Sequence, residues 1–234
     1  MMRRDACECA KSQLDLFSVP PVVTSVQDAE FYVRQVSIDP ALREQHMKHM
    51  SPGAKYPLTQ VNVTAHDIPG GGHDFHKDQL VGGQLPKRVV LGLVDNNAFA
   101  GSKEKNPFHF KHNNMTSLKL KLNGQEVHGT EIKSDFQNNS GSLKQLYMNL
   151  FHNTGHLWQE HPCNLTLDEF RNGFTLWVVD LTADLGADEG HNYPRHTGKL
   201  GLELQFAEPL PCPVTSVCYE EYESVLELIG SATL

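Results

Sequence analysis

The sequence predicts an all-β fold, a Greek-key β-sandwich of the jelly-roll type with short helical insertions. Three observations predict it. Several segments alternate apolar and polar residues with period two, irregular loops separate them, and helical patterns are confined to three short segments. A chain of 234 residues suits one all-β domain. We assign residues 28–230 to a single jelly-roll domain and residues 1–27, which contain Pro20-Pro21, to an extended N-terminal arm.

The first predicted elements lie between residues 30 and 65. The segment Glu30–Ile38 is rich in β-branched and aromatic residues, which predicts a strand. Asp39 is then an N-cap followed by proline at the first helical position, so a helix is predicted over Pro40–Met50. The segment Gln60–Ala65 alternates valine with polar residues and predicts the next strand.

Two further strands are predicted in the middle of the chain. The segment Arg88–Val94 is continuously apolar after its first residue, which is typical of a strand covered on both faces. Leucine and lysine alternate from Leu118 to Leu122, and the following Asn123-Gly124 is a hairpin turn signal.

Two short helices precede the closing strands. The segment Leu143–Phe151 places its apolar residues on one stripe, and Thr166–Asn172 opens with a capping box. The remaining predicted strands are Phe174–Asp180, Leu200–Phe206, Ser216–Tyr222 and Val225–Ile229. The residues expected in the core are Val90, Leu93, Leu176, Val178, Leu202 and Leu204.

The charge distribution limits the partners. A net charge of −8 argues against a nucleic-acid binder, which would carry a basic excess, so no specific nucleic acid is expected. Basic residues concentrate between Lys87 and Lys121, and glutamates concentrate after Ala207. The two regions are either solvated faces or complementary patches that meet across a subunit interface.

Cysteine usage predicts a reducing, intracellular compartment. The five cysteines are an odd number without framework spacing, and the C-x-C of Cys7 and Cys9 is too short for the usual zinc or redox motif. The first residues lack the apolar region of a signal peptide. No segment approaches the roughly 20 apolar residues of a membrane span, so no membrane partner is expected.

The sequence shows no chemical site. Thirteen histidines include three pairs spaced i, i+3, but none has the glutamate context of a metalloenzyme motif. These pairs are His46 and His49, His73 and His76, and His109 and His112. The sequence also lacks a nucleophile elbow and a phosphate-binding glycine loop. We therefore predict no enzyme, no cofactor, no metal, and no catalytic or cofactor-binding residue.

The tripeptide Asp95-Asn96-Asn97 follows the buried strand predicted over Arg88–Val94. A pocket residue could lie at this position. Aspartate and asparagine also stabilise turns by bonding their own backbone, and this interpretation is favoured.

Four blocks of the sequence carry one resemblance. The long block Gly83–Phe110, GQLPKRVVLGLVDNNAFAGSKEKNPFHF, resembles part of the second barrel of one family, the double jelly-roll (hexon-like) capsid proteins of Polinton/Maverick elements and adintoviruses. The other blocks are Cys9–Ser25, similar to the family's N-terminal start, Phe31–Val61, similar to the entry into the second barrel, and Asn172–Leu185 with Gly198–Pro211, similar to its closing strands.

The resemblance implies a structural, non-enzymatic protein that associates with itself, with other capsid proteins as further partners and the virion as its location if it assembles. In that family an entire first jelly roll follows the N-terminal block. Here the second-barrel entry follows almost directly after Gln27, so the first barrel is missing, and the oligomers are expected to be poorly defined.

Two other classes of function stay open. A jelly roll of a host protein could bind a small ligand or a carbohydrate. A cupin-like metalloenzyme is the third class, although the spacing of the histidines does not match it. Ligand-dependent stability would indicate the binding module, and a metal retained through purification would indicate the metalloenzyme.

Overall fold

The computed structural model describes residues 29–50, 53–127, 131–137, 141–157, 163–189 and 193–228. The predicted arm of residues 1–27 lies outside this part of the chain. The strands are β1 (Ala54–Ile68), β2 (Asp74–Gln84), β3 (Arg88–Asp95), β4 (Met115–Leu122), β5 (Gln125–Glu126), β6 (Ile132–Lys133), β7 (Leu176–Asp180), β8 (Thr197–Phe206) and β9 (Val214–Leu228). The helices are α1 (Pro40–Met50), α2 (Asn96–Phe99), α3 (Gly141–Asn153) and α4 (Leu167–Gly173).

The strands form two antiparallel sheets with the jelly-roll order. One sheet has the order β1-β9-β3-β7, and the other has the order β2-β8-β4-β5, with the short β6 also paired to β4. Successive long strands alternate between the sheets, and the first and last strands lie side by side. Eight strands in this arrangement make the double Greek key of a jelly roll, so the predicted fold class is confirmed.

The core fills the space between the sheets. The inward residues of β3 and β7 include Leu91, Leu93 and Trp177, and β8 of the opposite sheet contributes Leu202 and Leu204. Alternation along each strand places every second side chain in this layer.

Four of the six residues predicted in the core are buried, namely Leu93, Val178, Leu202 and Leu204. The prediction is wrong for Val90 and Leu176, which are only half-buried. Both lie on the outer face of their sheet, because Leu91 and Trp177 beside them point inward, and Val178, the partner of Val90, is buried on that same outer face. A continuously apolar strand does not tell which face is inside.

The hairpin predicted at Asn123-Gly124 is confirmed. Leu122 of β4 pairs with Gln125 of β5, which leaves a two-residue turn. Both turn residues have positive φ, 51° for Asn123 and 83° for Gly124. This is the combination that a type I′ turn requires and that the Asn-Gly pair favours.

The last strand differs from its prediction. Two strands were expected over Ser216–Tyr222 and Val225–Ile229, but β9 is continuous and pairs along its whole length with β1. The polar Glu223 and Ser224 interrupt the apolar pattern without interrupting the backbone pairing. Ile229 lies outside the described residues.

The strand predicted over Glu30–Ile38 is wrong. The segment carries no regular secondary structure, and its side chains are exposed. A strand needs a partner for its backbone hydrogen bonds as well as a suitable composition. Neither sheet includes this segment.

Sequence patterns located three of the helices correctly. Pro40–Met50 is helical as predicted, and the Asp39 carboxylate accepts a hydrogen bond from the Ala41 N–H at 2.8 Å. The predicted helix Leu143–Phe151 extends by two residues at each end. Thr166 caps α4 in a complete capping box with Glu169.

Replacing Thr166 with alanine is expected to lower the free energy of unfolding by about 0.5–2 kcal/mol, because the cap hydroxyl accepts a hydrogen bond from the Glu169 N–H. Urea denaturation followed by circular dichroism measures the change. Thr166→Ser keeps the hydroxyl and should stay close to the wild-type value. Equal losses in both variants would contradict a capping role.

Candidate interaction surface and pockets

Strand β1 has its apolar residues on the outside of the sandwich. Val61 and Val63 are 44% and 55% exposed, whereas Asn62 and Thr64 point inward and contact the buried Glu220. This is the reverse of the usual arrangement, in which the polar side of a half-covered strand faces solvent. The outward side of β1 is therefore suited to being covered.

Neighbouring strands extend this apolar surface. Val63 pairs with Tyr219 of β9, which in turn pairs with Val90 of β3, so the three side chains share one face. The "outer apolar face" is defined by Val61, Val63, Val90, Leu176, Val217 and Tyr219. It belongs to the sheet β1-β9-β3-β7 and crosses all four strands.

Phe110 covers one part of the outer apolar face. A Cβ atom placed on Gly92 would lie only 2.6 Å from Cδ1 of Phe110, so the aromatic ring rests directly over the glycine. Phe110 also pairs through its backbone with Phe174. The loop that follows β3 thus returns across the sheet, and a side chain at position 92 would displace it.

A second exposed apolar area lies at the end of the long β1-β9 ribbon. Tyr56 and Leu58 of β1 are exposed together with Leu226 and Leu228 of β9. Tyr56 and Leu58 are an even number of residues from the inward-facing Asn62, and Leu226 and Leu228 are an even number from the inward-facing Glu220. Because side chains alternate along a strand, all four point to the inward side of the ribbon.

The opposite charges noted in the sequence meet within the chain. Lys87 Nζ lies 3.0 Å from Glu223 Oε1, and Arg88 Nη1 lies 3.0 Å from Glu221 Oε2. Among the described residues, Lys105, Lys119 and Lys121 also form ion pairs, but their partners Asp95, Glu126 and Glu203 all precede Ala207 in the sequence. These intramolecular contacts neutralise much of the charge that complementary patches at a subunit interface would need.

A polar pocket of about 360 Å³ opens between the sheets where β1 and β9 face β2. Its carboxylate, Glu220, is 0% exposed. Asn62 Nδ2 donates to Glu220 at 3.1 Å, Thr64 Oγ1 at 2.9 Å and the Tyr222 hydroxyl at 2.9 Å. Burial and the Glu220 carboxylate raise the pKa of Tyr222, so its hydroxyl stays a donor at neutral pH.

A larger pocket of about 450 Å³ lies at one end of the sandwich. Its walls are mainly apolar, with Leu85, Leu122 and Leu200 among the lining residues. Tyr193, Arg195 and His196 also line it, and Tyr193 is the one tyrosine, phenylalanine or tryptophan among its described lining residues. The volume falls in the range of small-molecule sites.

The histidines of the three predicted pairs lie in different environments. His46 and His49 are exposed on α1. His76 contacts Asp74 and Glu203 on the surface. His112 stacks on Phe136 with ring centroids 4.2 Å apart, and burial, with a smaller effect of Arg171, lowers its pKa.

Within the described ranges, no group of three or more histidine, cysteine, aspartate or glutamate side chains is placed to hold a metal ion. In the same part of the chain, no helix has the length and apolar character to cross a membrane.

Asp95 has the turn-stabilising role that was favoured from the sequence. Its Oδ1 accepts a hydrogen bond from the Asn97 N–H at 3.0 Å at the start of α2. Its Oδ2 lies 2.7 Å from Lys105 Nζ, and this contact lowers the pKa of Asp95. Asn96 donates to Asp67 and Thr215 and so joins the loop to the sheet.

Sequence reasoning missed the buried carboxylate. Glu220 is an acidic residue at an inward position of β9, between the inward-facing Cys218 and Tyr222. A charged residue in register with apolar inward residues is the signal that could have identified it. The signal was hidden because the strand was not assigned a face.

No protein-family model matches the chain. An uncharacterized protein of Caenorhabditis elegans is 28% identical over 177 residues, which make up 74% of this chain and 42% of the worm protein. The chain thus spans less than half the length of that relative.

Two solved structures from viruses are also similar. PBCV-1 VP54, fitted into a cryo-EM reconstruction of the virophage Sputnik, has a TM-score of 0.47 at 10% identity, covering 80% of this chain and 52% of that chain. The quasi-atomic model of the PBCV-1 virus capsid gives a TM-score of 0.47 at 9% identity, with the same coverage. The chain spans about half of each. The strand order of the two sheets establishes the jelly roll independently of these overlaps.

Proposed function

We propose that this protein is a structural, non-enzymatic subunit of the capsid (hexon-like) type, of viral or Polinton-type origin, or a truncated form of one. The jelly-roll strand order is compatible with this role, and the sequence blocks that resemble the Polinton/adintovirus family support it. One of these blocks is Gly83–Phe110. It contains β3 and ends at Phe110, the residue that covers Gly92.

The outer apolar face is the observation that carries the proposal. A strand whose valines point to solvent and whose polar residues point inward is suited to a sheet that packs against another protein surface. Contiguous apolar patches are uncommon on proteins that act as monomers. We therefore expect the chain to associate with itself through this face, with other capsid proteins as further partners.

The association is expected to depend on concentration and to give heterogeneous oligomers. A closed ring requires a contact whose rotation returns to its starting point. In the family that the sequence blocks resemble, a linked first barrel would fix that geometry, and we expect this chain to lack it. Adding a first barrel from a related capsid protein in the same reading frame should favour a discrete trimer.

Replacing Val61 and Val63 with lysine should make the protein monomeric at concentrations where the wild type associates. Both valines are exposed, so the fold should persist, while two charges would have to be buried in the contact. Size-exclusion chromatography with light scattering over a range of concentrations measures the change.

A control with Phe99→Lys and Met148→Lys adds the same charge at two other exposed apolar positions, one on α2 and one on α3. It should associate like the wild type. A wild-type protein that stays a sharp monomer at high micromolar concentration would refute self-association. Equal effects of both double variants would mean that net charge, not the outer apolar face, controls it.

The larger pocket favours a second candidate, a jelly-roll module that binds a small ligand. Its apolar walls suit an apolar ligand better than a carbohydrate, because carbohydrates are usually held by several aromatic rings and hydrogen-bonding groups. A ligand of this kind should raise the melting temperature of a monomeric protein in proportion to its occupancy.

An intracellular, reducing location is part of the proposal. Cys163, Cys212 and Cys218 are free thiols in the structure. Burial raises the pKa of Cys218 to about 12, so this thiol is protected from reaction. Labelling of the native protein with a thiol reagent should reach Cys163, which is exposed, and spare Cys218.

A further inference from the structure

We propose that the polar pocket between β1, β9 and β2 binds a primary ammonium or guanidinium group, with Glu220 as its anionic acceptor. The group could belong to a free small molecule or to a lysine or arginine side chain of a second protein chain. This inference concerns a surface other than the outer apolar face and does not depend on self-association.

The first argument is the charge of Glu220. Its carboxylate is fully buried, and Asn62, Thr64 and Tyr222 donate hydrogen bonds to it without contributing a positive charge. Among the described residues Glu220 forms no ion pair. A buried carboxylate without a counter-charge is unfavourable and is stabilised when a cation approaches.

The neighbouring basic groups do not supply that cation. His66 is the next inward residue of β1 after Thr64, but burial, followed by the influence of Lys77, lowers its pKa, so it is largely neutral at pH 7. Lys77 of β2 forms no ion pair with Glu220 in the described part of the chain. Among the described residues that line the pocket there is no lysine, arginine or histidine.

The second argument is the balance of hydrogen-bonding groups. Asn62 and Gln84 use their amide nitrogens to donate to Glu220 and to the Glu223 carbonyl, so their amide oxygens remain available. Gln60 also lines the pocket and offers a further oxygen. Three neutral donors occupy about three of the four acceptor positions of a carboxylate, which leaves one for a ligand.

The third argument is shape. Leu80 and Val81 are buried residues that form an apolar wall beside the polar groups. An ammonium or guanidinium group on a short alkyl chain would place its charge at Glu220 and its carbons against this wall. Such a ligand supplies N–H donors to the acceptors and positive charge to the carboxylate.

The test is isothermal titration calorimetry of the full chain with n-butylammonium and n-butylguanidinium chloride. We expect saturable binding of about one equivalent. Tetramethylammonium carries the same charge without N–H donors and should bind at least tenfold more weakly, because charge-assisted hydrogen bonds provide much of the affinity. Potassium and calcium chloride serve as probes for a simple metal-ion site.

Glu220→Gln should weaken binding by about 10- to 100-fold, because it keeps the shape of the side chain and removes its charge. Glu227→Gln on the same strand removes an exposed charge that pairs with Lys55 outside the pocket, and it should bind like the wild type. Gln60→Leu alters an exposed pocket residue and leaves Glu220 unchanged. It should weaken binding about three- to tenfold. This variant keeps the test valid if Glu220→Gln folds poorly.

The source of the group is distinguished by measuring oligomer size in the same samples. If a side chain of a second copy occupies the pocket, n-butylguanidinium and Glu220→Gln will both reduce self-association. If the natural ligand is a free molecule, oligomer size will not change. The Val61→Lys, Val63→Lys variant should bind both probes normally, which separates this site from the proposed self-association.

Four results would overturn the inference, three of them with the organic cations. The wild type could fail to bind either probe saturably, Glu220→Gln could bind both equally well, or tetramethylammonium could bind as tightly as n-butylammonium. Binding of calcium or potassium in place of the organic cations would identify a metal-ion site and also contradict it.

Discussion

Replacing Trp177 with alanine is expected to lower the free energy of unfolding by about 3–5 kcal/mol. The side chain is 0% exposed on the inward face of β7. It contacts Phe136 edge to face, with ring centroids 6.3 Å apart. Removing the indole leaves a large cavity between the sheets, and the loss is a substantial part of the roughly 5–15 kcal/mol that stabilises a typical domain.

Urea denaturation at a protein concentration that keeps the chain monomeric measures this loss. Phe174→Ala is the control, because this aromatic residue precedes β7 in the sequence but is about half exposed, at 48%. Its cost should be smaller than that of Trp177→Ala by about 2 kcal/mol or more. Alanine at Leu93, Leu202 or Leu204 should cost about 2–4 kcal/mol. Unchanged midpoints across these variants would mean that the inward faces have been misassigned.

Replacing Arg88 with methionine is expected to cost about 3–5 kcal/mol, because the change leaves Glu221 without its partner on a largely covered part of the sheet. Arg88 Nη1 lies 3.0 Å from Glu221 Oε2, and both side chains are mostly buried. Asp188 is a more distant neighbour at 4.0 Å. The Nε and Nη2 atoms of Arg88 lack hydrogen-bond partners among the described residues, so the charge is incompletely compensated.

A second replacement separates the charge from the packing. Arg88→Met combined with Glu221→Met should recover most of the loss, because an apolar pair of similar size carries no desolvation penalty. Lys55→Met provides the matched control in the exposed Lys55–Glu227 pair on the same sheet and should change stability by less than about 1 kcal/mol. A double variant no more stable than Arg88→Met would show that the arginine contributes through packing or the neighbouring Asp188.

The sequence predicted most accurately the elements in which local and tertiary preferences agree. In β8, the alternating leucines Leu200, Leu202 and Leu204 coincide with the inward face, so the pattern alone located the strand. The capping box at Thr166 and the turn at Asn123-Gly124 depend on contacts between residues only a few positions apart. A short sequence pattern is therefore sufficient to predict such contacts.

The elements that were missed depend on distant parts of the chain. Strand β2, Asp74–Gln84, is polar and rich in glycine, and a register shift between Lys77 and Val81 breaks its period. Its pairing with β8 makes it a strand, and no local window contains that partner. The opposite error occurred at Glu30–Ile38, where composition suggested a strand but no sheet edge receives it.

The candidate surfaces could not be predicted from the sequence for a related reason. The alternation of Val61 and Val63 with polar residues predicted a strand correctly but did not tell which side of the strand is covered. Only the register with β9 shows that the polar side faces Glu220. Predicting the outer apolar face or the polar pocket required knowing which side of β1 is covered, and this is decided by the second sheet.

The pairing of Ala54 with Leu228 has a consequence for how such a domain can be gained or lost. Paired residues in an antiparallel ladder lie about 5 Å apart, so the polypeptide enters and leaves the sandwich at nearly the same point. A unit with this property can be inserted into a host chain, or excised from it, with little strain on the flanking segments. Loss of one barrel from a tandem arrangement would then leave a sister with intact strands and a junction that needs only a short connection.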